Sequence, residues 1–242
     1  MTEINTGTFP HGYARVAGLA YIVVILLGIF SVSYIDSYII VPGNDASTLN
    51  NIITNEFRFR IGVVSEIVMY VLVVLLSLTL YVVLKSVDKN LALLALLMRL
   101  GEAIIGGSVV VLSGFVPLLL LKHEAAFEAQ QLQSLVGLFL DVRNVGLDVV
   151  LIFIGTGGTL FLYLFFKSKY IPRILSIWGM FTYLSMLILA ITSMLVTDLS
   201  ETIKMAFFAP GGLFEIVIGL WLLTKGVNVE SWQEGDSRTN RL

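Results

Sequence analysis

The sequence predicts an all-α, polytopic transmembrane helical bundle of six spans with both termini cytoplasmic, and three observations carry that prediction. Of 242 residues, 57% are hydrophobic and 13% charged, whereas soluble domains carry about 25% charged and about 45–50% apolar residues. A mean hydropathy of +0.92 exceeds what a buried core supplies, because a soluble protein of this size must clothe its surface in polar groups. Six segments, 15–40, 61–84, 91–121, 144–166, 172–197 and 206–225, meet the roughly 20 apolar residues that a span needs. Finally, Lys and Arg divide unevenly between the segment ends. Arg15, Lys85, Lys89, Lys167, Lys169, Arg173, Lys225, Arg238 and Arg241 fall on one side, against Arg58, Arg60, Lys122, Arg143 and Lys204 on the other. The richer side is expected in the cytoplasm.

Taken in order, the first segment begins directly after Arg15 and runs too long for a signal-peptide core, so it is expected to stay as a span. The second and third are joined by a short basic connection, Lys85 to Asn90, and the third is long enough to tilt. The fourth and fifth are joined by Lys167 to Pro172, and the sixth carries Glu215 just past Pro210-Gly211-Gly212. Between spans, 47–60 places Leu49, Ile52, Ile53 and Phe57 on one helical side behind a Ser47 or Thr48 cap. Likewise 125–140 repeats Leu132, Leu135, Val136 and Phe139 at helical spacing. Such stretches either lie in the membrane interface or extend the neighbouring spans. Residues 1–227 read as a single six-helix domain and 228–242 as a polar, disordered cytoplasmic tail.

The same counts restrict function. Fifteen basic against seventeen acidic residues give no basic face for nucleic acid. No cysteine is present, and the two histidines, His11 and His123, are peripheral. No metal site and no cofactor are expected, nor is a serine–histidine hydrolase built on Ser113 or Ser193. Gly155-Thr156-Gly157-Gly158 lies inside a span with no strand before it, which favours close packing over a phosphate loop. Shifted by 82 residues, Glu66, Ser77, Tyr81 and Lys85 fall on Asp148, Thr159, Tyr163 and Lys167, a pattern open to hairpin duplication or to chance alignment of apolar spans.

What remains is ionisable groups inside the spans, which are costly there and usually face the bundle interior. They are Glu66, Arg99, Glu102, Asp148 and Glu215, with Asp36 near the outer end of the first span. Helical phase sets Tyr70 with Glu66 and sets Asn144 with Asp148. It also aligns Gly18 and Tyr21 on the first span, Gly106 and Ser113 with Arg99 and Glu102, and Ser176, Gly179, Tyr183 and Ser193 on the fifth. Glu66, Arg99, Glu102, Asp148, Glu215, Tyr70 and Asn144 are therefore the candidate lining of an outward-facing polar cavity. Four acids face one buried base, Arg99, unless Arg58, Arg60 or Arg143 snorkels in.

Several stretches resemble a bacterial family of integral membrane proteins, domain of unknown function family 4386. They are Ala14-Arg15-Val16-Ala17-Gly18-Leu19-Ala20-Tyr21, Phe59-Arg60-Ile61-Gly62 and Leu94-Ala95-Leu96-Leu97-Met98-Arg99-Leu100-Gly101-Glu102-Ala103, followed by Lys167-Ser168-Lys169-Tyr170-Ile171-Pro172-Arg173 and Phe214-Glu215-Ile216-Val217-Ile218-Gly219-Leu220-Trp221-Leu222-Leu223-Thr224-Lys225-Gly226. The resemblance implies a multi-pass protein of the bacterial cytoplasmic membrane and supplies no activity, substrate or cofactor. Three function classes stay open. The first binds or moves a small polar or cationic ligand, or protons. The second is a structural or partner-binding membrane protein whose buried charges form a packing salt-bridge network. The third is an intramembrane enzyme using carboxylate acid–base chemistry. The lipid bilayer is the expected partner, and the sequence leaves the oligomeric state open.

Overall fold

The computed structural model describes residues 9–196, 199, 201–228 and 232. The side chains of Phe9, Pro10, Asp36, Glu201, Thr202, Lys204 and Met205 lie outside that description, as does all of the 228–242 tail except Asn228 and Trp232. The described chain is helical throughout its regular structure. Its elements are α1 (Phe9–Ser31), α2 (Asp45–Thr54), α3 (Glu56–Leu84), α4 (Lys89–Val110), α5 (Val116–Lys122), α6 (Ala129–Ser168), α7 (Arg173–Leu195) and α8 (Glu201–Thr224). Six spans are long and apolar enough to cross a membrane: His11–Ile35, Glu56–Leu84, Lys89–Lys122, Ala129–Ser168, Arg173–Leu195 and Ala206–Thr224.

Two spans contain a π turn. After α1 the chain continues as a π turn over Val32–Asp36, and α4 joins α5 through another over Val111–Phe115. The second has a covalent cause. Pro117, near the start of α5, has no N–H for the carbonyl four residues back, so the hydrogen-bond ladder shifts register there.

The spans form a ring in chain order. α1 packs on α3, α3 on α4, α4 on α6, α6 on α7, α7 on α8, and α8 closes against α1. At that closure Gly18 and Gly219 let the backbones meet, since a Cβ on Gly18 would strike the main chain of Gly219, Leu222 and Leu223. One end of the ring gathers the loops 85–88 and 169–172 with the start of α1 and the end of α8. There Ser86 Oγ lies 3.2 Å from the Tyr170 hydroxyl, and the Asn228 N–H donates to the Tyr170 carbonyl at 2.9 Å. We call this the terminal end. The opposite, capped end carries α2, whose Thr48 and Ile52 are buried.

The two amphipathic stretches resolve differently. Of residues 125–140, those from Ala129 onward become the first part of a continuous α6 of 40 residues, about 60 Å long, with Leu132 and Val136 buried. In 47–60, helix α2 is capped by Asn44, whose side chain accepts from the Ser47 N–H at 2.9 Å. The cap is thus neither Ser47 nor Thr48. Helix α2 ends at Thr54, so Phe57 belongs to α3 and is 77% exposed, while Ile53 is 51% exposed. Asn55 breaks the expected single stripe.

Candidate functional site

Depth follows from counting residues along each span at about 1.5 Å apiece. Tyr21 is ten residues inside the terminal-end limit of its span, Arg99 ten, Tyr183 ten and Glu215 nine. All four therefore sit about 14–15 Å deep, near the middle of a hydrocarbon layer roughly 30 Å thick. They are also buried, at 3%, 3%, 0% and 8% exposure. Glu102, one turn further along α4, is 3% exposed.

Within this centre, Arg99 Nη1 lies 2.5 Å from Glu102 Oε2, an ion pair whose angles miss hydrogen-bond alignment. The Tyr183 hydroxyl donates to Glu215 Oε1 at 3.0 Å. Tyr21 lies against Tyr183, within electrostatic reach of Arg99, Glu215 and Glu102. Phe214 stacks edge-on to the Tyr183 ring with centroids 5.9 Å apart, walling the hydroxyl off on one side.

The glycine run of α6 explains how such bulky groups fit. A Cβ on Gly157 would lie 3.0 Å from the Arg99 side chain, and one on Gly158 would lie 2.6 Å from the Tyr183 ring. Adjacent glycines thus seat the guanidinium on the α4 side and the tyrosine on the α7 side. Close packing, rather than a phosphate loop, is what this run provides.

A second charged cluster lies toward the capped end. Arg143 of α6 forks onto Glu66 of α3: Nη1 donates to Oε2 at 2.8 Å and Nη2 to Oε1. Ser31 of α1 also donates to Glu66 Oε1, and Arg143 Nη2 reaches Ser31 Oγ at 3.4 Å. Three helices are therefore tied at one carboxylate. Tyr70 sits between the clusters, within electrostatic reach of Glu102, Glu66, Arg143 and Arg99, its ring packed where Gly106 leaves room.

The expected seven residues thus divide. Arg99, Glu102 and Glu215 come together, Tyr70 lies beside them, and Glu66 belongs to the tie. Asp148 accepts from Ser193 Oγ at 3.0 Å on the α6–α7 seam, and Asn144 is exposed. The stripe read through Asn144, Asp148 and Gly155 faces α7 at Gly155, where a Cβ would meet Leu187 and the Tyr183 carbonyl; it does not face the ring interior. Small and polar residues mark a helix contact without telling which neighbour makes it. Of the three arginines considered for snorkelling, Arg143 reaches in. Arg60 pairs with Glu56 at 2.6 Å on the surface, and Arg58 lies over the Tyr34 and Tyr38 rings. Helical phase places Tyr21 and Tyr183 on inward faces without marking them as site residues. The sequence signal for them is a depth equal to that of Arg99.

Six spans closed around a buried charged centre define a multi-pass helical membrane protein. The chain belongs to the family described as Domain of unknown function (DUF4386), which it matches over residues 16–226. No curated protein and no solved structure matches it.

Proposed function

We propose that this protein exchanges protons at the Arg99–Glu102–Glu215 centre and passes them along its polar interior. The observation that carries the reading is the imbalance at mid-membrane depth: two carboxyls, Glu102 and Glu215, face one guanidinium. A carboxylate without a cation in low dielectric takes up a proton, which leaves the centre with one to exchange. The groups are sealed by protein at 3–8% exposure, which favours protons over a larger ligand. Tyr70 offers a hydroxyl between this centre and Glu66, extending the polar chain toward the capped end. With the more basic terminal end in the cytoplasm, and the bacterial cytoplasmic membrane as the setting the family resemblance suggests, that chain runs toward the outside.

The structural alternative draws on one observation, the close fit of Gly157 and Gly158 around Arg99 and Tyr183. Against it, Arg99 and Glu102 belong to the same helix, so their pairing holds no two helices in register. Acid–base enzymology ranks below both, since no nucleophile accompanies the carboxyls. The test is proton flux into liposomes carrying an entrapped pH-sensitive dye, under an imposed pH gradient. The wild-type protein is expected to conduct, and Glu102→Gln and Glu215→Gln to abolish conduction while remaining folded. Equal flux in all three proteins overturns the proposal.

A further inference from the structure

At the terminal end, away from the charged centre, a cavity of about 780 Å³ opens to the surface. Its walls come from the α6–α7 loop and from the end of α8, with Lys169, Tyr170 and Arg173 facing Trp221, Lys225 and Asn228. The two stretches that carry much of the family resemblance, one around Tyr170-Ile171-Pro172-Arg173 and the other around Trp221 to Gly226, therefore meet at one hollow. Among the described residues no carboxylate lines it. Among the described residues none of the three cations makes an ion pair with an acid. Lys167, by contrast, faces Asp88 at 3.9 Å outside the cavity.

Lysines near helix C-termini need no ligand to explain them, because the negative end of the helix dipole favours them there. Lys169 caps α6 and Lys225 caps α8, so each fits that simpler account. Arg173 does not. It is the first residue of α7, a 23-residue helix whose N-terminus has no side-chain cap. A cation is disfavoured at that position, and orphan N–H groups point outward from it. Three cations and an uncapped helix N-terminus converging on a hollow large enough for a small molecule make a receptor for an anion.

We propose that this cavity binds a phosphate-bearing anion, clamped by Arg173, Lys225 and Lys169 with the start of α7. Two sources share that chemistry, an anionic phospholipid headgroup and a free phosphate compound. The lipid source has its own support. Ile174 and Leu220, next in sequence to Arg173 and Trp221, are 79% and 48% exposed, so apolar surface for an acyl chain adjoins the cavity. The site is independent of the proton-exchange reading and stands or falls separately.

The experiment uses the whole chain, purified and reconstituted in nanodiscs of phosphatidylglycerol or of phosphatidylcholine, with native mass spectrometry to count retained lipid. In a second arm, inorganic phosphate is titrated onto the detergent-solubilised protein and thermal stability is followed. The variants are Arg173→Gln, Lys225→Gln and, as a control at the same end outside the cavity, Lys85→Gln. Wild type and Lys85→Gln are expected to retain phosphatidylglycerol over phosphatidylcholine, and each cavity variant to lose about tenfold in affinity, the worth of one charge-assisted contact. Stabilisation by inorganic phosphate that the cavity variants lose identifies a free anion as sufficient. Selective lipid retention without that response identifies the headgroup. The proposal is overturned if the cavity variants match wild type in both arms, or if the two lipids are retained equally and inorganic phosphate does not stabilise the wild type.

Discussion

Two ionic clusters sit within one ring of helices, and they are built on opposite principles. The Glu66–Arg143–Ser31 tie uses one acid and one base from different helices, joined as a fork, with a third helix contributing a hydroxyl. A balanced pair of that kind fixes where α1, α3 and α6 lie relative to one another. The Arg99–Glu102–Glu215 centre pairs its cation within a single helix and leaves a carboxyl over for Tyr183 to hold. Charge joining helices is architecture. Charge closed on its own helix, with an acid to spare, is what the proton-exchange proposal draws on.

The comparison breaks most visibly at Arg143. Arg143→Ala strands Glu66, which is 5% exposed, and is expected to cost about 3–5 kcal/mol, read as a large fall in the thermal midpoint in detergent. Neutralising the pair together as Glu66→Gln with Arg143→Gln should recover most of that loss; an equally large fall in the double variant would show that the tie does not act through charge. Next comes the seat of the centre. Gly158→Ala pushes a methyl into the Tyr183 ring and should cost about 1–3 kcal/mol, with proton flux falling alongside stability. The seam contact is smaller, and Asp148→Ala should lose about 0.5–1.5 kcal/mol and leave flux unchanged. The smallest change in stability is expected from Glu215→Gln, below about 1 kcal/mol, because an amide oxygen still accepts from Tyr183. If that variant unfolds as readily as Arg143→Ala, the two clusters do the same job and the distinction fails.

The fold was legible because hydrocarbon imposes a minimum span length, and the six spans stand within several residues of their expected positions at most of their ends. The exceptions are instructive. The fourth span gains its long extension because nothing in 125–140 stops a helix once Glu128 and Gln131 cap its start. At the centre, Arg99, Glu102 and Glu215 announce themselves, since charge at that depth needs a reason. Tyr21 and Tyr183 do not, because tyrosine is at home in packed membrane helices. Asp148 and Glu66, matched by the 82-residue shift, have unlike surroundings: one accepts a serine on a seam, the other an arginine fork. Which neighbour a stripe meets depends on ring order, and phase along one helix does not encode that.

Pairing Arg99 with a glutamate one turn away on the same helix has a consequence for biogenesis. A nascent chain hands its helices to the bilayer roughly in order, and α4 enters before the partners on α7 and α8 exist. A lone arginine would make that entry expensive; carrying its own counter-charge, α4 arrives already neutralised. Glu215 comes with the last helix, whose docking against α1 brings it to Tyr183. Glu215 is thus added at the closing step, and a chain truncated before α8 would have the pair without the acid that gives the centre its surplus.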